Sequence, residues 1–200
     1  GLNGNISLAY AYPISRSVVL GMGAAYNYRG KFTPREADSG GEFDPGDEIS
    51  GDFGVDIKLA DNFKINFDVL YTVFSRDKLD DADIFELGDR ISIYTGLNFR
   101  VVGMNHTLYA INRIKSDNKS FSEEAENDLK TGSQMDLFYY GSIPVSYIVS
   151  VFIKADGKFY KDSEQMVGGQ LLKTGEANVI GFGGGVRFNT SDYVSLELSG

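Results

Sequence analysis

Ser50 to Val73 reads SGDFGVDIKLADNFKINFDVLYTV. In an extended chain Phe53, Val55, Ile57 and Leu59 fall on one side, and Ser50, Asp52, Asp56 and Lys58 on the other. A tight turn at Ala60-Asp61-Asn62 follows. Then Phe63, Ile65, Phe67, Val69, Tyr71 and Val73 alternate with Lys64, Asn66, Asp68 and Thr72. Strand side chains change faces at every residue, so each segment has one apolar and one polar face. Segments of about ten residues, joined in turn by tight turns and long acidic connections, are the pattern of a transmembrane β-barrel.

The same rhythm runs along the chain and places ten strands. They are 5–12, 18–28, 50–59, 63–73, 89–99, 105–114, 132–142, 147–159, 177–188 and 193–199. On the sixth, Thr107, Tyr109 and Ile111 are placed outward, with the reverse phase as the alternative. Tight turns centre near Ser15, Asp61, Val102, Pro144 and Ser191. Long connections fill 30–48, 76–88, 115–131 and 161–176, where most of the excess acid lies. Their Gly, Pro and acidic content reads as mobile, solvated loop, and short turns in the periplasm put these loops outside the cell. Aromatics at strand ends, such as Phe63, Phe99, Tyr26 and Tyr71, suit girdles at the two membrane surfaces.

Composition bounds the alternatives. The chain has 200 residues, enough for one domain spanning 1–200, and no apolar run approaches the roughly 18 residues of a spanning helix. A mean hydropathy of -0.19 is compatible with strands that hide their apolar side by alternation. A net charge of -9 without a basic stripe excludes nucleic acid as a partner. Cysteine is absent, as suits a protein that crosses the periplasm. A soluble β-sandwich would need every apolar face packed against another sheet. The spacing of about 40 residues also fits a propeller blade, but two long strands per repeat do not. The chain opens on Gly1-Leu2-Asn3-Gly4 without a leader pattern and reads as a mature or excised piece. The tenth strand has no terminal aromatic, so two arrangements stand: the chain is a part of a larger barrel, or it is whole and 5–12 pairs with 193–199 to close it.

Candidate chemistry is sparse. His106, the one histidine, lies beside a tight turn and reads as a polar rim residue; no catalytic residue is assigned. The acidic runs at 44–48 and 77–83 lack the spacing of a calcium hand, so no metal site and no cofactor is assigned. Gly181-Phe182-Gly183-Gly184-Gly185 continues into a strand and is not a phosphate cradle. The inward face is the candidate working surface. It carries Asp52, Asp56, Lys58, Lys64, Asn66, Asp68, Arg90, Asp136, Lys154, Asp156, Arg187 and Glu197. These groups either pair into a closed network that plugs the barrel or line a wet passage.

Phe43-Asp44-Pro45-Gly46-Asp47-Glu48, leading into Gly54-Val55-Asp56, resembles outer-membrane transporters of the FadL type. So does Gly183-Gly184-Gly185-Val186-Arg187-Phe188 followed by a turn and Tyr193-Val194-Ser195-Leu196. That family has fourteen strands and an N-terminal hatch, whereas about ten strands and no hatch segment are found here. No ligand-binding residue carries over. The resemblance implies uptake of a small or hydrophobic solute across a bacterial outer membrane, with membrane lipid and lipopolysaccharide as partners. A structural or adhesive surface barrel with a plugged lumen and working loops is the alternative.

Overall fold

The computed structural model describes residues 1–33, 41–122, 125–167, 170–189 and 195–200. In chain order the strands are β1 (Asn3–Pro13), β2 (Val18–Arg29), β3 (Phe43–Asp44), β4 (Glu48–Ala60), β5 (Phe63–Phe74), β6 (Arg76–Leu79), β7 (Ala82–Glu86), β8 (Arg90–Val101) and β9 (Met104–Lys115). They continue with β10 (Asn118–Ser122), β11 (Ala125–Leu129), β12 (Gln134–Pro144), β13 (Val149–Tyr160), β14 (Ser163–Val167), β15 (Gln170–Thr174), β16 (Ala177–Asn189) and β17 (Ser195–Ser199). Ten of them form one antiparallel, up-and-down sheet in the order β1-β2-β4-β5-β8-β9-β12-β13-β16-β17. Among the described residues β1 pairs with β2 alone and β17 with β16 alone. The wall is thus a barrel arc with two open edges.

Its two faces follow from the register, because residues directly opposite in an antiparallel pair share a face. Ile57 faces Ile65, Ile65 faces Leu97, and Leu97 faces Leu108. One row over, Asp56 faces Asn66, Asn66 faces Gly96, and Gly96 faces Tyr109. Among the described residues nothing packs over the apolar face as a second layer. Ile6, Phe53, Ile153, Ile180 and Phe182 are all exposed, the last by 83%. This removes the sandwich reading, in which such side chains would be buried between sheets.

The sixth long strand, β9, corrects the expected phase. Thr107, Tyr109 and Ile111 share the polar face with Asn98, Gly96 and Tyr94, while His106, Leu108, Ala110 and Asn112 lie on the apolar face. The cause is the turn. Val101 pairs with Met104, leaving only Val102 and Gly103 between the strands. Both have positive φ, 50° and 78°, which is the backbone of a two-residue hairpin turn. Such a turn sets the register, and a one-residue slip reverses every side chain.

The tight turns share local chemistry. Pro13-Ile14-Ser15 and Pro144-Val145-Ser146 close alike: Ile14 N donates to Val18 O at 3.0 Å, and Val145 N to Val149 O at 2.8 Å. The hydroxyl oxygens of Ser15 and Ser146 accept from nearby backbone N–H groups. The expected turn at Ser191 and the girdle residue Tyr193 lie outside the described residues, as do Pro34 to Gly40 of the first long connection.

The long connections are built as β-structure, against the expectation of mobile loops. β3, β6, β7, β10 and β11 form a second sheet in the order β11-β10-β7-β6-β3, so three connections join edge to edge. The fourth folds into its own hairpin, β14-β15. Asp80 and Asp81, both at positive φ, make the two-residue turn of the β6-β7 hairpin. Antiparallel order puts these connections at one end of the wall and the tight turns at the other.

Two outcomes follow. Val69→Arg, mid-strand on the apolar face, should cost about 2–4 kcal/mol in a bilayer, whereas Asn66→Arg on the polar face should be mild; urea titration in lipid vesicles separates the two, and equal costs would contradict this assignment of faces. Val102 is a β-branched residue held at positive φ and is 98% exposed. Val102→Gly should therefore raise folding stability by about 1 kcal/mol. An unchanged or lower urea midpoint would show that the turn is unstrained.

Candidate functional site: the charged face of the wall

All twelve charged or amide residues singled out above lie on the polar face, in register with one another. They do not form one network. Arg187 binds Glu197 at 2.7 Å. Its guanidinium also lies 5.6 Å from the Tyr140 ring centre and 5.9 Å from that of Phe152. Phe152 is 1% exposed, seated where Gly185 on the next strand has no side chain. Arg113 pairs with Asp136, whose second oxygen accepts from Gln134 Nε2 at 2.7 Å. Arg90 lies 5.5 Å from the Phe74 ring. Lys58 reaches past its neighbour Lys64 to Asp61 in the turn, at 2.6 Å.

Asp52, Asp56 and Asp68 on β4 and β5 differ. Among the described residues none of them has a salt bridge. Lys154 and Lys158 on β13 are likewise without one. β5 lies four strand spacings from β13 along the sheet, about 19 Å, and β4 one spacing further. Lys64 on β5 and Asp156 on β13 are also without a salt bridge among the described residues, so the net excess of unpaired charge is acidic towards β4-β5 and basic towards β13.

Glycines shape the surface. A Cβ on Gly54 would stand 1.9 Å from Asp68 Oδ1, and one on Gly96 would stand 2.3 Å from Asn66 Oδ1. Gly23 and Gly181 stand in the same way beneath Asp52 and Asp156. In each case the glycine is the direct cross-strand partner of the polar residue. The missing side chain lets the carboxylate or amide lie down on the sheet. Over β5, β8 and β9 this leaves a cavity of about 600 Å³ walled by Asp52, Asn66, Asp68, Tyr94, Asn98 and Tyr109.

Sequence reasoning placed Tyr94 on this face beside Arg90 and Asn98, but missed Tyr109, Arg113, Phe138 and Phe152 there. Tyr109 and Arg113 were hidden by the phase of β9. Tyr109 and Phe138 stack at 4.8 Å, a contact that only the β9-β12 register creates.

His106 is on the other face. Its ring stacks on Phe99 at 4.7 Å, Phe99 stacks on Phe63 at 6.0 Å, and His106 Nδ1 lies 3.0 Å from Tyr139 Oη. This is an aromatic belt at the tight-turn end. Ser92 lies on the polar face, opposite Leu70, so the sheet separates it from His106. At the other end, the Tyr26 and Tyr71 hydroxyls donate to Asp47 and Asp89, each just before the next wall strand. No group of three metal-ligating side chains converges among the described residues.

Beyond the wall, the connections are tied by ion pairs. Arg76 binds Asp83 at 2.7 Å and Glu86 at 2.9 Å, and its guanidinium lies over the Phe121 ring at 4.7 Å. Those carboxylates raise the Arg76 pKa. Lys130 Nζ binds Asp162 at 2.7 Å, and Lys173 binds Glu164 at 2.8 Å. These partners hold Asp162 and Glu164 below the usual carboxylate range, through hydrogen bonds from Lys130 and Lys173 respectively.

No protein-family model and no curated protein matches this chain. Solved structures do. The alcaligin outer membrane receptor FauA of Bordetella pertussis aligns with 95% of the chain at a TM-score of 0.68 and 13% identity. A mutant of the ferric enterobactin receptor PfeA of Pseudomonas aeruginosa aligns with 98% at a TM-score of 0.64 and 8% identity. The chain spans about a third of each, 33% and 36%. The likeness is one of fold: the ten-stranded sheet follows part of the wall of an outer-membrane β-barrel.

A carboxylate whose pKa is lowered in the fold stabilises it above its unfolded pKa, and that contribution is lost as pH falls through the lowered value. The Lys130–Asp162 and Lys173–Glu164 contacts should hold at neutral pH and release in acid, below the ordinary carboxylate range. Hydrogen exchange of the β14-β15 hairpin, corrected for intrinsic rates, should show the loss of protection; a flat profile from pH 7 to 3 would show that these pairs do not anchor it.

Proposed function

We propose that this chain is part of the wall of a solute-transport barrel in a bacterial outer membrane. The observation that carries this reading is the division of one sheet into a bare apolar face, belted by aromatics, and a charged face with unpaired acids and bases. A hydrocarbon solvent accounts for the first face and a wet lumen for the second. The twelve polar-face residues are, on this reading, lumen-lining. Exposed edges of β1 and β17 are costly in lipid, so further strands continue the sheet on both sides. The receptor-barrel fold, of which the chain spans about a third, supports this.

The cargo is a small solute captured on the outer side, where the five-stranded sheet gives a shaped surface in place of loose loops. The two receptors of like fold take alcaligin and ferric enterobactin by their names, which supports uptake from outside as the class of activity. The FadL-type resemblance adds a hydrophobic cargo as a candidate. The polar face favours a polar or amphipathic one, because a purely apolar solute would desolvate the charges it passed. Membrane lipid contacts the apolar face and lipopolysaccharide the outer rim. His106 and Ser92 lie on opposite faces of the sheet and so do not form a hydrolytic pair.

The second reading is a structural or adhesive barrel whose outer sheet is the working part; the ordered five-stranded sheet is the observation in its favour. Full-length protein in liposomes separates the two. Transport requires flux of small solutes, changed in rate when Lys154→Gln alters the lumen field. Absence of any flux, with loss of surface binding when 76–86 is deleted, would replace transport by adhesion.

A further inference from the structure

The cavity over Gly96 is where two glycine and flat-lying polar pairs adjoin on neighbouring strands. It measures about 600 Å³, within the range that holds a small organic ligand. Its floor is low because Gly96 and Gly54 carry no side chains and Asn66 and Asp68 lie flat across them. Tyr94 stands directly opposite Asp68, and Tyr109 stands opposite Gly96 on the far side from Asn66. Among the described residues no lysine or arginine lines it.

Charge adds a second, separate constraint. Elsewhere on the face Glu48, Asp136 and Glu197 each have an arginine partner, while Asp56 and Asp156 have no salt bridge among the described residues. Asp52 and Asp68, in the cavity wall, have none among the described residues. Two carboxylates on a low-dielectric wall attract a cation and repel an anion, and the field is focused where water is displaced. Tyrosine rings add a face to which a cation binds, and the amides of Asn66 and Asn98 accept further N–H groups.

We propose that this cavity is a subsite for an organic cation, an amine or guanidinium whose N–H groups reach Asp52 and Asp68 while its carbon skeleton rests on Tyr94 and Tyr109. The inference rests on the transport reading, because it makes the polar face accessible to solute. It narrows the cargo class: cationic solutes dwell here, and anionic ones of equal size pass without a stop on this side of the lumen.

The test uses the full-length protein in lipid nanodiscs, with spermidine as the probe and glutarate and inositol as anionic and neutral comparators. Heat-modifiable gel mobility confirms folding of each variant. Calorimetry should give saturable spermidine binding and none of glutarate or inositol. Asp68→Asn keeps the shape over Gly54 and removes one charge, and should weaken spermidine by about tenfold or more. Tyr109→Leu should weaken it by a smaller factor, with the carboxylates intact. Spermidine binding that is absent from the folded protein, unchanged in Asp68→Asn, or matched by inositol overturns the subsite. Solute flux measured in parallel keeps the two readings apart. Flux without spermidine binding removes the subsite and leaves transport standing, whereas spermidine binding without flux of any solute removes transport instead.

Discussion

A backbone in hydrocarbon has no water to bond to, and that constraint organises this molecule. Every peptide N–H and C=O in the wall must find its partner on the neighbouring strand. The long strands, the strict antiparallel neighbours and the two-residue turn at Val102-Gly103 all serve the ladder. Once the ladder is set, period two does the rest. Residues of one parity meet lipid and those of the other meet water, without any core of the usual kind. Leu129 and Phe152 are the buried hydrophobic residues among the described residues, and neither lies on the apolar face of the wall.

The ladder does not stop at the membrane surface. One residue, Ser75, separates β5 from β6, and its N–H donates to Asp47 O at 2.8 Å. Pairing resumes beyond it, with Asp80 N on Glu42 O at 2.9 Å and the β7-β10 contact through Lys119 and Ser120. Arg76 of β6 stands at the centre, between two carboxylates of β7 and an aromatic ring of β10. The outer tier is an extension of the wall by the same means, in a setting where charge can replace grease.

The wall was legible in the sequence because alternation survives errors of a few residues at strand ends. Phe63 to Val73 reads the same whether the strand starts at 62 or 64. β9 was the exception: Ile111 lies on the polar face and Asn112 on the apolar one, so composition pointed the wrong way. The decisive signal was Val102-Gly103, whose glycine marks a two-residue turn. The outer sheet was illegible for a different reason. Arg76 to Glu86 looks like an acidic loop; it pairs with itself as a hairpin, but the strands that extend it into a sheet lie in other connections, thirty or more residues away. Local pattern carries no trace of such pairing. The cavity needed three strands in known register before Asp68, Tyr94, Gly96 and Tyr109 became neighbours.

The flat-lying polar side chains have a consequence for how this surface can change. Gly54 and Asp68 occupy one volume between them, as do Gly96 and Asn66. Any side chain gained on one strand must be given up on the other. Such positions are epistatic: each substitution is judged against its partner rather than alone, and single changes are disfavoured even where the paired exchange is tolerated. The polar face is therefore less free to drift than its exposure to water implies, and the route by which it acquires a new preference runs through double changes across adjacent strands.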